Sequence, residues 1–510
     1  MSSSRWYHSS KAIILAAIIL PPVGLVLLWL RKDAETGKKV YGSLGIAAIS
    51  ALYLYFLFGS TDPGLEAHYA ELERQRAEQR ETSAQLPAAQ SGAAQTADTA
   101  NANSAGNANE SRAEPAAKAS SKAARNYWTD FRGPARDGHY DEAGILTQWP
   151  SEGLPLLWKQ PIGGGYASFV VAEGLAFTIE QRRQQEVVAA YDVETGREQW
   201  THAWDASFVE SMGGDGPRAT PTWEAGRLYA QGAAGDLRCI ETKTGKLIWS
   251  KNILTDNGAQ NLQWGVSGSP LIVDDKVVVL PGGGQGKSVV AYNKLTGAPV
   301  WKSLNDRQAY TSPMLVTLAG KRQIILVTAS RVVGLEVADG SLLWEYPWNT
   351  DMGINAAQPI VIDKNHFFIS AGYGKGAAMV EVSGGGNGFT ARKVWENNSM
   401  KNKFNSSVLY NGYVYGLDEG ILTCLDVGTG ERKWKGGRYG YGQLILASGH
   451  LVVITDQGEL VLVKATPDQH TEVAKFPAIE GKTWNYPAIA GGRLLVRNQT
   501  QMACFNLSGK

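Results

Sequence analysis

The sequence carries no excess of either charge: 49 Lys and Arg stand against 48 Asp and Glu, for a formal net charge of +1. Without a one-sign field to gather a polyanion, nucleic acid is excluded as a partner class. Cysteine is scarce. Cys239, Cys424 and Cys504 allow at most one disulfide and show neither metal-ligand spacing nor a CxxCH haem site. The seven histidines, at 8, 68, 139, 202, 366, 450 and 470, are scattered, and no nucleophile has a base placed beside it, which removes hydrolase chemistry. Residues 83–125 have no aromatic side chain and are dominated by Ala, Ser, Asn, Gln and Thr. Such a stretch cannot bury a core.

What the chain does have is a repeated phrase. In AAYDVETGREQW, Asp192, Thr195, Gly196 and Trp200 hold a spacing that returns in CIETKTGKLIW (Glu241 to Trp249), AYNKLTGAPVW (Asn293 to Trp301), GLEVADGSLLW (Glu336 to Trp344) and CLDVGTGERKW (Asp426 to Trp434). One copy reads as a hairpin: a strand end, an Asp, Asn or Glu bonding its own backbone, a glycine at positive φ, and a strand carrying an indole. A lone hairpin cannot bury its tryptophan, so the copies must stack.

From Trp158 the aromatic recurs at Trp200, Trp249, Trp301, Trp344, Trp395, Trp434 and, degenerately, Phe476, intervals of about 40 to 50 residues that suit a four-stranded propeller blade. Ser168, Thr220, Ser269, Ser312, Gln358, Ser406, Gln443 and Tyr486 each open a short apolar strand, so the two series agree on eight blades. Trp158 has no phrase before it, and ACFNL at 503–507 has no tryptophan after it. Pairing the two closes the ring and removes its open edges. The expected fold is an all-β, eight-bladed propeller of four-stranded antiparallel blades over 126–510.

Ahead of it, residues 12–30 and 40–58 are each 19 apolar positions without a charge, long enough to cross a bilayer. The loop between them holds Arg31, Lys32, Lys38 and Lys39, against Arg5 and Lys11 in the leading tail. The positive-inside rule therefore puts the loop in the cytoplasm and both ends outside. Residues 1–60 are thus read as a two-helix transmembrane anchor, 61–82 as a charged helical stalk, and 83–125 as a disordered linker spanning about 35 to 40 Å on average. The propeller is expected on the periplasmic or extracellular side of a bacterial inner membrane. NYWTDFRGPARDG at its start is expected to cap the ring's outside or base.

The repeated A-x-[DN]-x-x-TG-x-x-x-W phrase resembles that of the quinoprotein, or PQQ-like, β-propeller family. Its branches are PQQ-dependent alcohol and sugar dehydrogenases and non-enzymatic propellers such as the lipoprotein subunit of the outer-membrane assembly machinery. The resemblance implies ligand binding at the channel mouth, lined here by Tyr166, Arg218, Trp264, Tyr310, Asn355, Asn405, Tyr441 and Trp484. Arg218, Trp264, Tyr310, Asn355, Asn405 and Trp484 are the cofactor-binding candidates; their aromatics, amides and guanidinium suit a planar acid such as PQQ. Glu210 and Asp215 lie near Arg218, where a quinoprotein would use a base or a calcium ligand. Two departures weigh against catalysis: no two cysteines are adjacent, and no Asp, Glu and Asn set matches the dehydrogenase base and calcium motifs. No catalytic or metal residue is assigned. The expected function is a membrane-anchored scaffold docking an envelope protein, with a PQQ- and calcium-dependent dehydrogenase as the alternative.

Overall fold

The structure, a computed structural model, describes residues 128–385 and 388–509, preceded by helical positions at 28–29, 36, 39–47 and between 66 and 78. Two compact units divide the chain at Glu73 and Arg74. In the first, the described residues are helical. Among the described residues no helix is long and apolar enough to cross a membrane, and the transmembrane helices expected over 12–30 and 40–58 fall largely outside them. The linker at 83–125 lies wholly outside them. At the end of the charged segment, Arg74 and Glu78 form an i,i+4 ion pair at 2.5 Å.

The second unit contains eight sheets of four antiparallel strands, one with an added fifth strand. We number them as blades 1 to 8 in chain order, each running from its innermost to its outermost strand. Blade 1 comprises Val170–Ala172, Leu175–Arg182, Gln185–Asp192 and Glu198–Asp205. The innermost strands of blades 2 to 6 are Thr222–Glu224, Leu271–Val273, Met314–Leu318, Ile360–Val361 and Val408–Tyr410, and those of blades 7 and 8 are Gln443–Ala447 and Ala488–Ala490. The outermost strand of blade 8 is Leu156–Pro161, which pairs antiparallel with Gln501–Asn506 and sets Trp158 opposite Cys504. The start of the propeller thus completes its last blade, as the unmatched Trp158 predicts. Arg497 staples this seam. Its guanidinium is fully buried and donates to Thr178 Oγ1 at 2.9 Å in blade 1 and to the Gly163 carbonyl at 2.8 Å.

The repeated phrase builds the joint between blades. Asp192 Oδ1 accepts from the Thr195 amide and hydroxyl, both at 2.8 Å, and Asn293 and Asp426 repeat the arrangement. The turn brings its glycine to positive φ and lays it under the indole of the preceding blade. Gly245 has φ +71, and a Cβ there would sit 2.6 Å from Trp200 Cε3, so only glycine fits. The indole N–H then donates to the same turn: Trp158 to Val193 O at 2.9 Å, Trp200 to Thr242 O at 2.8 Å, Trp249 to Lys294 O at 3.0 Å and Trp395 to Val427 O at 2.9 Å, while Trp434 donates to Thr466 O at 2.8 Å in a blade 7 turn that has no glycine. Opposite each indole stands a strand position that is usually small, such as Ala190, Cys239, Ala291, Gly334, Cys424 or Cys504. The three cysteines fill this slot in separate blades, buried and free.

Blade 5, which lacks the phrase, departs from this joint. Its outer hairpin is a long ribbon, Gly376–Gly385 and Gly388–Asn397. Without a glycine turn ahead of it, Trp344 donates within its own blade to Gln323 Oε1 at 2.5 Å and stacks on Phe367 of blade 5 at 5.5 Å. In blade 7 Phe476 stands in for tryptophan, and Gly153 lies against its ring.

The segment expected to cap the ring's outside or base packs across the inner edges of the blades. The Trp128 carbonyl accepts from Val171 N in blade 1 and that of Thr129 from Trp223 N in blade 2. Arg136 donates to the carbonyls of Ser269 and Pro270 in blade 3 and of Pro313 in blade 4, and Arg132 to Ser407 O in blade 6 at 2.7 Å. His139–Tyr140 then adds a parallel strand to the inner edge of blade 7, while Phe131 meets the Tyr486 ring of blade 8 edge-on at 5.1 Å. Carbonyls left over beside the innermost strands of blades 3, 4 and 6 need donors, and two guanidiniums supply them.

Three outcomes follow from this packing. Trp249, 8% exposed, when replaced by alanine, costs about 3–5 kcal/mol in chemical denaturation. Arg136→Ala strands the Asp130 carboxylate, which it holds at 2.8 Å, and costs roughly 3 kcal/mol or more; adding Asp130→Asn recovers part of that loss. Glu186 is fully buried between blades 1 and 2, accepting from Ala233 N at 2.8 Å while its other oxygen has no partner, and burial pushes its carboxyl up to about 7. Because the folded value is raised, stability present below pH ~4.5 is lost as the pH rises through ~7, on the order of 3 kcal/mol. Glu186→Gln removes that slope in melting temperature against pH.

Candidate functional site

The loop that carries the chain from the outermost strand of one blade to the innermost strand of the next sets the mouth of the channel. Two residues before each of seven innermost strands, a Ser, Thr, Gln or Tyr ties neighbouring blades together. Ser168 N donates to Thr220 Oγ1 at 2.9 Å, Ser269 N to Ser312 Oγ at 2.8 Å, Ser312 N to Gln358 Oε1 at 2.8 Å and Gln358 N to Ser406 Oγ at 3.0 Å. This buried polar girdle forms a floor. The residues ahead of it stand above the floor and face the mouth.

There the structure gathers half-buried rings. Tyr166 stacks on Trp484 at 5.6 Å with 27° between planes; Phe404 bridges Trp484 at 4.7 Å and Tyr441 at 5.2 Å; Trp264 packs on Tyr310 at 5.7 Å. Arg218 joins the two groups. Its guanidinium lies 4.5 Å from the Phe208 ring and 5.6 Å from that of Tyr166, and a Cβ on Gly213 would meet both Arg218 Nη2 and Trp264. Burial lowers the Arg218 pKa below its usual range and pushes the Tyr310 phenol up to about 12.

Asn355 and Asn405 sit differently from the other four candidates. Both are buried. Asn355 Nδ2 donates to Thr328 O at 2.9 Å, and Asn405 Oδ1 accepts from Asn402 Nδ2 at 3.0 Å, so these amides hold loops. Glu210 accepts from the amides of Met212 and Gly213, Asp215 from Glu210 N at 3.2 Å, and Arg218 donates to Gly214 and Gly216 carbonyls. That triad fixes its own loop.

Sequence reasoning missed Phe208, Tyr373, Lys403, Phe404 and Lys482. Lys482 Nζ lies 4.0 Å from the Trp484 ring centroid, and Lys403 Nζ lies 4.8 Å from that of Tyr441 while donating to its hydroxyl at 2.9 Å. Lys403, Phe404 and Lys482 occupy the same loops as Asn405 and Trp484, one or two positions earlier, so the signal was the loop rather than the single position. Tyr373 comes from a turn inside blade 5, which no repeat phrase marks.

The site fits a planar polyacid in part. Rings and cations would take its faces and carboxylates. For the calcium that accompanies such a group, among the described residues no three His, Cys, Asp or Glu side chains converge, and the two candidate amides are spent on loops. The donor set of a quinoprotein metal centre is not assembled here.

A family profile described as Outer membrane protein assembly factor BamB matches residues 141–286 and 184–436. The chain is 22% identical over 288 residues to Outer membrane protein assembly factor BamB of Yersinia pestis, covering 52% of this chain and 68% of that protein. It is 26% identical over 168 residues to 1-butanol dehydrogenase (cytochrome c) of Thauera butanivorans, covering 30% of this chain but only 23% of that enzyme. Among solved structures, BamB from Moraxella catarrhalis superimposes with a TM-score of 0.52 at 14% identity, over 70% of this chain and 98% of that one. With the profile spanning more than half of its length, and eight blades joined by the phrase that carries the resemblance, the chain belongs to the PQQ-like propeller family described as Outer membrane protein assembly factor BamB.

Proposed function

We propose that the protein is a non-catalytic scaffold of the bacterial cell envelope whose propeller docks another envelope protein. The observation that carries this reading is the mouth itself: rings and cations converge on it, while Glu210, Asp215, Asn355 and Asn405, the acids and amides among its candidates, serve as loop braces. The kinship with relatives named as outer membrane protein assembly factors supports the same reading. The apolar segments at 12–30 and 40–58 hold the propeller to the inner membrane, with the charged stalk and the linker at 83–125 giving it reach on the periplasmic or extracellular side.

The second reading is a PQQ- and calcium-dependent dehydrogenase of alcohols or sugars. It is favoured by relatives named as alcohol dehydrogenases and by the affinity of stacked rings and cations for a planar acid.

Pulldown of the full chain from membranes, against a variant ending at the linker, followed by rebinding with purified components, is expected to return a specific envelope protein. Incubation with PQQ and Ca²⁺ is expected to give no dye-linked oxidation. Turnover of an alcohol or sugar, or a pulldown no richer than the linker control, contradicts the scaffold reading.

A further inference from the structure

The joint between blades 6 and 7 is built on a histidine. The blade 7 turn at 465–471 has no glycine, and Trp434 of blade 6, which donates to Thr466 O in that turn, meets the His470 imidazole edge-on at 5.6 Å with 70° between planes. Room for the imidazole is made in the neighbouring blade. The outermost strand of blade 6, Arg432–Arg438, bulges at Gly436 and Gly437. A Cβ on Gly436 would sit 2.9 Å from His470 Cβ, and one on Gly437, where φ is +71, would sit 2.6 Å from His470 Nε2 and 2.7 Å from the Tyr439 ring. Two consecutive glycines thus hold open a slot that admits an imidazole.

Three titratable groups line up in the slot. Tyr439 is buried, and its hydroxyl lies 2.9 Å from His470 Nε2 and 2.9 Å from Glu472 Oε2. Ionised Glu472 can only accept, so the phenol donates to it and His470 Nε2–H donates to the phenol oxygen. Both hydrogen bonds cross from Tyr439, which follows the last strand of blade 6, to blade 7, and the neutral imidazole keeps a bare Nδ1. The other charges on the surrounding elements are engaged or face water. Asp468 in the turn accepts from Thr466 Oγ1 at 2.8 Å, Lys435 on the blade 6 strand is held by Asp418 at 2.5 Å and Lys433 lies 3.9 Å from Glu431, while Arg432, Arg438 and Lys464 are exposed. Burial lowers the His470 pKa below its usual range, and Glu472, the charged group whose field reaches it, offsets that only in part.

We propose that His470 is an acid-released latch of the joint between blades 6 and 7: on taking a proton at Nδ1 the imidazolium leaves the slot for water, and Tyr439 is freed from the turn. Because the docked imidazole holds a proton less tightly than a free one, the stability that the latch adds is whole above pH ~6.5 and is lost as the pH falls below it. Through Tyr439 the latch reaches the mouth. The Tyr439 carbonyl accepts from Asp456 N at 3.1 Å, the Asp456 carboxylate accepts from Tyr441 N at 3.2 Å, and Tyr441 carries one of the rings of the mouth. The latch is independent of what the mouth binds.

The test follows the full chain, labelled at histidine and tryptophan, by NMR, with resonances assigned through His470→Gln and Trp434→Phe. The His470 imidazole is expected to titrate below the free value. At pH 7.5 the Trp434 indole N–H is expected to share the opening free energy of Trp249 and Trp395. At pH 5.5, after correction for intrinsic exchange, it is expected to open more often than they do, by about threefold or more. In His470→Gln, which cannot take the charge, that excess is expected to vanish, and a melting temperature near the parent's at pH 7.5 shows that the variant folds. Glu472→Gln, which leaves the slot and the imidazole in place, is expected to move the midpoint to more acid pH and decides the matter where His470→Gln does not fold. Fluorotyrosine at position 441 is expected to shift with the His470 midpoint. The proposal is overturned if His470 titrates at or above the free value, if Trp434 keeps step with Trp249 and Trp395 at pH 5.5, if the excess survives in His470→Gln, or if Glu472→Gln leaves the midpoint in place. A fluorotyrosine resonance at 441 indifferent to that midpoint overturns the link to the mouth.

Discussion

The propeller depends on one contact repeated around its axis: the face of a tryptophan laid on a glycine that belongs to the next blade. An indole buries more apolar surface than any other side chain, yet its N–H needs an acceptor when it leaves water. The Asx-Thr-Gly turn provides both, a bare backbone on which the ring rests and a carbonyl for its nitrogen. The arrangement is mutual. Except where blade 4 meets blade 5, each blade offers a ring to its successor and a turn to its predecessor, and the apolar side chains accordingly gather into clusters between blades, as where Tyr229, Trp249, Val277 and Tyr292 join blades 2 and 3. No blade has a core of its own, and stability belongs to the closed ring.

Closing a ring of this size leaves carbonyls at the axis where eight sheets crowd together. The inserted segment answers that need with Arg132 and Arg136, whose fork geometry serves several acceptors at once. Its consequence reaches the opposite face. With one end of the channel filled, the loops at the other form a well, and the groups in that well are free of the duty of closing the axis. Half-buried rings gather there, with Lys403 and Lys482 laid over two of them, while Glu210, Asn355 and Asn405 turn back into their own loops.

Most of the architecture was legible because the joint is local in sequence. An Asp, a Thr-Gly and a Trp at fixed spacing specify the turn, its acceptor and its ring, so blade number, order and closure follow by counting. The departure at blade 5, with the rerouting of Trp344 to Gln323, was not read from the sequence. The inserted segment defeated sequence reasoning because its partners are backbone carbonyls of distant strands, which leave no mark on side-chain pattern. The mouth was legible as a set of loops and only partly as residues. Trp264, Tyr310 and Trp484 show how a half-exposed ring in such a loop faces the mouth, while Asn355 and Asn405 show that an amide three or one positions ahead of the girdle is as readily drawn down to brace the loops. Lys403 and Lys482 are ordinary surface lysines by composition, and only the rings beneath them single them out.

The central claim is that indoles docked on the turns of neighbouring blades hold the ring together as one cooperative body. Native-state hydrogen exchange of the tryptophan indole N–H groups, read by NMR on chain labelled at tryptophan, tests it most directly. The account predicts that the docked indoles of Trp158, Trp200, Trp249, Trp395 and Trp434 exchange slowly, and that they share one opening free energy equal to that of global unfolding. Exchange at rates near those of free indole, or blade-by-blade opening energies with no common limit, would contradict it.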